Sequence, residues 1–223
     1  MLRQAELHHS PRPAALPCAR SERLLEVVEL MGAPMCFERN AEIYGEGEPA
    51  DYLYKLVTGT VRTAKVLTDG RRQVGGFYLP GDIFGLEPGD EHAFAAEAIT
   101  PCKVLVIKRS ALIALADRDH EIAHRLWTVT AGELHRVQDH ILLLIKSARE
   151  RVAAFLLEMA ERFPAGNAVE LPMSRQDIAD YLGLTIETVS RTLSRLEALA
   201  AIELPSSRRV VLRNRATLCR LNG

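Results

Sequence analysis

Residues 174–196 read SRQDIADYLGLTIETVSRTLSRL, two short helical patterns separated by Gly183. This stretch constrains the fold more than any other, because it requires two helices that meet at a tight turn. Ser174 and Thr185 stand where N-caps are needed, and a glycine between the patterns supplies a helix stop. Ile178, Leu182, Val189, Leu193 and Leu196 fall on faces that would lock the two helices together. In the second pattern Glu187, Ser190 and Arg191 lie at i, i+3 and i+4, on one helical face. A carboxylate, a hydroxyl and a guanidinium so placed suit the base edges of a DNA major groove. Arg donates twice to guanine O6 and N7, Glu accepts from cytosine N4, and Ser bonds either way. The spacing predicts a helix-turn-helix whose second helix reads DNA. The plain alternative is two amphipathic helices that only pack together.

Charge is distributed to match. The 223-residue chain has a net charge of −1, yet residues 205–223 carry five arginines (Arg208, Arg209, Arg213, Arg215, Arg220) and no acid. Residues 21–116 carry fourteen acids against ten bases. The basic end is the end with the two-helix pattern, as a DNA reader requires. The length suits two domains with separate cores, or one large one, and a hydrophobic content of 48% suits a globular protein. There is no run of about 18 apolar residues and no apolar h-region in MLRQAELHHSPRP. A cytoplasmic chain with no membrane partner is expected.

Four regions are predicted. Residues 1–20, rich in Pro, His and Arg, read as a flexible tail. Residues 21–116 open with an amphipathic helix, SERLLEVVELMG, ended by Gly32. Between residues 37 and 108 come short apolar runs with Gly and Pro punctuation: DYLYKLV, TGTVRTAKVL, a turn at Asp69-Gly70, RQVGGFYLPGDIFG and CKVLVIK. Such runs predict an antiparallel sandwich or barrel. Residues 117–146 form a long helical pattern in which Leu134, Val137, Ile141 and Leu144 recur at 3-4-3 spacing, extended backward by Trp127 and Thr130. That is the seam of a two-stranded coiled coil, or else a face packed on its own domain. Residues 147–223 hold the helix ARERVAAFLLEMAERF, the two-helix pattern, and AAIELPSSRRVVLRN, read as a hairpin wing with Arg208 and Arg209 at its tip. Ser174, Gln176, Thr185, Thr188, Arg195 and the wing arginines are expected to meet phosphates and set register.

These segments resemble the Crp/Fnr transcription regulators over nearly the whole chain beyond residue 20. Glu187, Thr188 and Arg191 match the recognition-helix pattern E-T-x-x-R. Gly45-x-Gly47, Gly59-x-Val61 and Gly81-Asp82-x-Phe84-Gly85 match the glycine positions of the family's sensor domain. The cyclic-AMP branch has Arg where this chain has Ile186 and Gly where it has Ser190, so E-x-x-S-R looks like the Fnr and FixK branch. The resemblance implies an α+β fold: an N-terminal antiparallel β-roll like that of cyclic-nucleotide-binding domains, a long dimerisation helix and a C-terminal winged helix-turn-helix. It further implies a homodimeric activator on inverted-repeat TTGA-type sites in double-stranded DNA, in contact with RNA polymerase. The genes implied are those of low-oxygen respiration or nitrogen fixation.

The switch is less legible. Cyclic-nucleotide-binding members follow the last glycine motif with a Glu and then Arg-Ser or Arg-Thr. Here LEPGDEHAFAAEAIT would set Glu87, Asp90 and Glu91 against a phosphate, so no cyclic nucleotide is expected. Cysteines at 18, 36, 102 and 219 include no close pair, and only Cys18 lies where oxygen-sensing relatives carry a cluster; no metal or cofactor is expected. Cys219, beside Arg220, is the candidate for any redox reactivity. His120 and His124 are four apart but lack a third ligand, and His135 and His140 read as solvent-facing. The alternative is a ligand- or haem-dependent sensor of the same fold, gated by an unidentified effector. With neither a G-x-S-x-G element nor a P-loop, an enzyme is not expected.

Overall fold

In the computed structural model, which describes residues 22–163 and 168–222, the apolar run at 51–57 becomes a strand covered on both faces. β3 (Tyr52–Thr58) lies in a four-stranded sheet ordered β1-β8-β3-β6, with β1 (Ala33–Phe37), β8 (Cys102–Lys108) and β6 (Ile83–Phe84). Its Tyr54 and Leu56 face the interior of the roll. Leu53 faces outward into a second cluster built with Leu24, Val28, Ile107, Leu112 and Ile122. Lys55 is also buried and survives there because its Nζ lies 2.9 Å from Glu29 Oε1. A second sheet, ordered β2-β7-β4-β5, comprises β2 (Glu42–Tyr44), β7 (Ala95–Ala98), β4 (Val61–Val66) and β5 (Arg72–Tyr78). All pairings in both sheets are antiparallel, and Tyr44, Val61, Phe84 and Val104 fill the space between them.

Three parts of this roll depart from the sequence reading. β1 starts at Ala33, before residue 37. β7 lies in AAEA, whose small side chains carry little strand propensity and are held by pairing to β2 and β4. A helix, α2 (Arg109–Ala116), follows β8 where the sequence pattern assigned no element, and joins α1 (Glu22–Met31) on the outer face. The expected tail, with Cys18, lies outside the described residues.

α3 (His120–Leu144) starts three residues later than the pattern suggested, because α2 runs to a C-cap at Asp117 and Asp119 caps the new helix, accepting from Glu121 N at 2.9 Å. Its expected seam is uncovered in the single chain: Trp127 is 73% exposed and Leu134 and Ile141 58% each. One member departs. Leu144 is half-buried and turns toward the helix-turn-helix, its Cδ2 3.5 Å from where a Cβ on Gly183 would stand, and Ile145 takes its place on the open stripe. His140 departs too, since it is half-buried with its ring 4.2 Å from that of Tyr181.

α4 (Ala148–Arg162) follows at once behind a capping box between Ser147 and Glu150. Its Phe155, Leu156 and Met159 enter the largest core, which unites the C-terminal part with Ala64, Val74 and Phe77 of the roll. Arg162 fastens the same joint, donating to Phe77 O at 2.9 Å and to Asp82 Oδ2 at 2.5 Å. A three-stranded antiparallel sheet, β10-β11-β9, comprises β9 (Ala168–Glu170), β10 (Ile202–Glu203) and β11 (Arg209–Leu212). α7 (Arg215–Asn222), absent from the sequence reading, buries Leu218 and lies along α4.

Candidate nucleic-acid interface

α5 (Arg175–Leu182) and α6 (Ile186–Ala198) form the two-helix element. Ser174 caps α5 in a capping box with Asp177: Asp177 N donates to Ser174 Oγ at 3.1 Å and Ser174 N to Asp177 Oδ2 at 2.9 Å. Gly183 ends α5 at φ 61°, ψ 41°, the left-handed region where glycine has no Cβ penalty. Thr185 caps α6, its Oγ1 accepting from Thr188 N at 3.2 Å. Val189, Leu193 and Leu196 then bury against Ile178 and Leu182. Arg151 of α4 staples the turn, with Nη1 2.8 Å from Leu182 O and Nε 2.8 Å from Lys146 O. The sequence contains no signal for that role, because a helical arginine 31 residues before its acceptor reads as a solvated charge.

Packing of those apolar residues leaves Glu187, Ser190 and Arg191 together on the open side of α6. Ile186 joins them around one shallow depression. In the sequence Ile186 serves only as a branch marker, yet an exposed aliphatic beside polar readers offers a contact to a thymine methyl. Hydrogen bonds from its own backbone N–H and from the Thr185 hydroxyl hold the Glu187 carboxyl below the usual range. At neutral pH it is ionised and acts only as an acceptor, as a cytosine N4 amino group requires.

The residues expected to meet phosphates are less uniform. Arg195 is exposed on α6. Gln176 is exposed at the start of α5, its amide 2.6 Å from Asp180 Oδ1. The Thr185 and Thr188 hydroxyls lie 3.0 Å apart and bond to each other. The Ser174 hydroxyl donates to Asp177 Oδ2 at 2.7 Å, so it is committed within its own helix. In the wing, Ser206 Oγ accepts from Arg208 N at 3.4 Å and Arg209 N at 3.1 Å, which shapes the tip. Arg208 is exposed there; Arg209 begins β11, with Nε 3.7 Å from Glu170 Oε1.

Elsewhere, a cavity of about 80 Å³ lies inside the roll, lined by Tyr44, Thr63, Tyr78, Phe84, Glu87 and Glu133 among others. Pockets that hold cofactor-sized ligands run to roughly 300–1,000 Å³. Of the three acids expected here only Glu87 lines it, since Asp90 and Glu91 are exposed. The second carboxylate is Glu133 of α3, which accepts from Tyr78 Oη at 3.0 Å. Of the cysteines, Cys102 is buried with Sγ 3.0 Å from Thr100 O, while Cys36 and Cys219 are exposed. Arg220 turns to Thr217 Oγ1 at 3.0 Å. Among the described residues no group of His, Cys, Asp and Glu could hold a metal ion, and no helix is long and apolar enough to cross a membrane.

A winged helix-turn-helix joined through a long helix to a β-roll defines a class, the two-domain DNA-binding regulator with a sensor-like N-terminal part. Residues 150–221 match the Crp-like helix-turn-helix domain and residues 34–119 the cyclic nucleotide-binding domain. The chain is 51% identical over 209 residues to the nitrogen fixation regulation protein FixK of Azorhizobium caulinodans, across 91% of this chain and 84% of that one. It is 41% identical over 194 residues to FixK of Rhizobium meliloti, across 83% and 89%. The solved structure of FixK2 from Bradyrhizobium japonicum superposes with a TM-score of 0.83 at 52% identity, across 86% of this chain and 98% of that one. The chain belongs to the Crp/Fnr family of transcription regulators, in its FixK-like group, and is not an enzyme.

Proposed function

We propose that the chain binds inverted-repeat TTGA-type operators as a homodimer and activates transcription of genes for low-oxygen respiration or nitrogen fixation, in contact with RNA polymerase. The carrying observation is the exposed array on α6, with Glu187 ionised and Ser190 and Arg191 beside it. Each subunit would set α6 in one of two successive major grooves about 34 Å apart. Arg191 takes guanine O6 and N7, Glu187 takes cytosine N4, Ser190 a flanking base, and Ile186 a thymine methyl. Gln176, Thr185, Thr188, Arg195, Arg208 and Arg209 set register on phosphates, with Ser174 holding the end of α5. The operator sequence and gene context rest on the resemblance to FixK proteins, two of which are named for nitrogen fixation regulation. A cyclic nucleotide is not the effector in this reading, because the roll cavity is small and lined by two carboxylates.

Arg191→Ala tests it. At fixed salt the variant should lose discrimination at one G·C pair of each half-site, costing about 1–3 kcal/mol per half-site. Equal affinity of variant and wild type for a TTGA inverted repeat would overturn the assignment.

A further inference from the structure

The outer face of the β4–β5 hairpin has an apolar centre, Ala64, Val74 and Phe77, with Arg62 and Arg72 at its two ends. α5 presents the complementary face: Asp177, Asp180 and Tyr181 at i, i+3 and i+4. The two faces are in contact. The Tyr181 ring lies 5.1 Å from that of Phe77. Arg62 Nη1 is 2.9 Å and Arg72 Nη2 2.6 Å from the same oxygen, Asp177 Oδ1. Arg72 Nε is 2.7 Å from Asp180 Oδ2, and Arg62 Nε is 3.0 Å from Glu97 Oε2 on β7. Asp177 is a buried carboxylate whose other oxygen caps α5 through Ser174. One side chain thus both starts the helix and ties it to the roll.

We propose that Arg62, Arg72, Asp177 and Asp180 form a strut that fixes the angle at which each subunit presents its recognition helix, making them determinants of half-site spacing. This rests on the reading of the chain as a dimer on an inverted repeat. A dimer that fits grooves about 34 Å apart must hold two α6 helices in a set orientation. α5 and α6 move as one body because Ile178 and Leu182 pack on Val189, Leu193 and Leu196. Whatever holds α5 therefore aims α6. Arg162 fastens α4 to the same strand without bonding to α5. Phe77 and Phe155 bring their rings to 5.1 and 5.9 Å from that of Tyr181, an apolar contact that holds α5 close but sets its angle less narrowly than hydrogen-bonded charges do. The ion cluster is directional: its charges are largely withdrawn from water, Asp177 almost wholly and Arg72 in part, so they tolerate little change in geometry, and the Asp177 carboxylate left alone there is disfavoured. The strut also leaves Glu187, Ser190 and Arg191 open, so the orientation it holds is compatible with reading.

Binding is measured for wild type, Arg72→Gln, Arg72→Lys and Asp180→Asn on three DNAs: the inverted repeat, the same repeat with its half-sites one base pair further apart, and a single half-site. Wild type should prefer the correct spacing. Arg72→Gln and Asp180→Asn should lose about tenfold of that preference, the size of a coupling within one ion cluster, with single half-site affinity unchanged. Arg72→Lys, which keeps the charge, should keep most of it. Unaltered spacing preference in both Arg72→Gln and Asp180→Asn would overturn the strut. So would an equal loss on all three DNAs, which is the signature of a residue that only supports stability or attracts phosphate. If wild type bound the inverted repeat no better than the half-site, the operator reading itself would fall, and the strut with it.

Discussion

His140 and Asp177 are polar side chains packed where the reading head meets the rest of the chain, and their protons act in separate pH windows. Burial pushes the His140 imidazole below its ordinary 6.5, with its ring against Tyr181 and its Nδ1 without a partner. The unfolded chain then takes up a proton before the folded one. The contribution of the neutral ring is complete above 6.5 and lost as pH falls below it. Burial also disfavours the charged Asp177, but hydrogen bonds from Ser174 and the guanidinia of Arg62 and Arg72 outweigh it and hold the carboxyl below its ordinary 3.8. Its contribution is present above 3.8 and is lost only in stronger acid. Thermal unfolding should therefore show a Tm decline between pH 7.5 and 5.5 that His140→Phe reduces, since phenylalanine keeps the ring contact and cannot be protonated. A decline of the same size in both proteins would remove His140 from the account.

Two glycines measure how much of the element structure depends on backbone alone. At Gly183 an added Cβ would meet only Leu144 and Arg151 atoms at 3.5 Å, ordinary contact, so Gly183→Ala isolates the cost of the left-handed conformation. That cost is about 1–2 kcal/mol, or a Tm lower by roughly 2–4 °C per kcal/mol in a chain of this size. Gly59, at φ 93°, connects β3 to β4, and its Cβ would stand 2.5 Å from Pro101 O and 2.6 Å from Cys102 Sγ. Gly59→Ala should cost clearly more, and equal melting points for the two variants would contradict this ranking. The turn at Gly183 was legible in the sequence because caps, stop and apolar spacing are all local signals, and the long strands β3 and β8 were legible as dense apolar runs. β7 and β9 were not, because three or four residues of small or mixed side chains become strands only through their neighbours. Nor were the roll cavity's Glu133 or the partners of Asp177 visible. Arg62 stands 115 residues from Asp177, and no pattern in either segment announces the other.

At the scale of the molecule, one long face of α3 meets no other part of the chain among the described residues. Trp127, Leu134, Ile141 and Ile145 lie along it, with Ile145 80% and Val137 48% exposed. A contiguous exposed apolar stripe of this kind is the mark of an association surface, and its near-heptad spacing suits the same stripe on a second copy. The opposite face of α3 is occupied by Ile122, Glu133, Arg136 and Leu143 packed on the rest of the chain, so the stripe is free for a twofold mate without disturbing the subunit. Ile141→Glu should therefore separate the dimer and spare the fold. Two glutamates would face each other across the seam, where like charges repel, whereas in the single chain that position is 58% exposed. Light scattering at micromolar concentration should give the mass of one chain for the variant and of two for wild type, with the same circular dichroism. Affinity for the inverted repeat should drop toward that for one half-site, because the second recognition helix no longer arrives with the first. If Ile141→Glu remained a dimer, another surface would set the distance between the two reading heads. The strut at Asp177 would then aim each α6 within a frame other than the α3 pair.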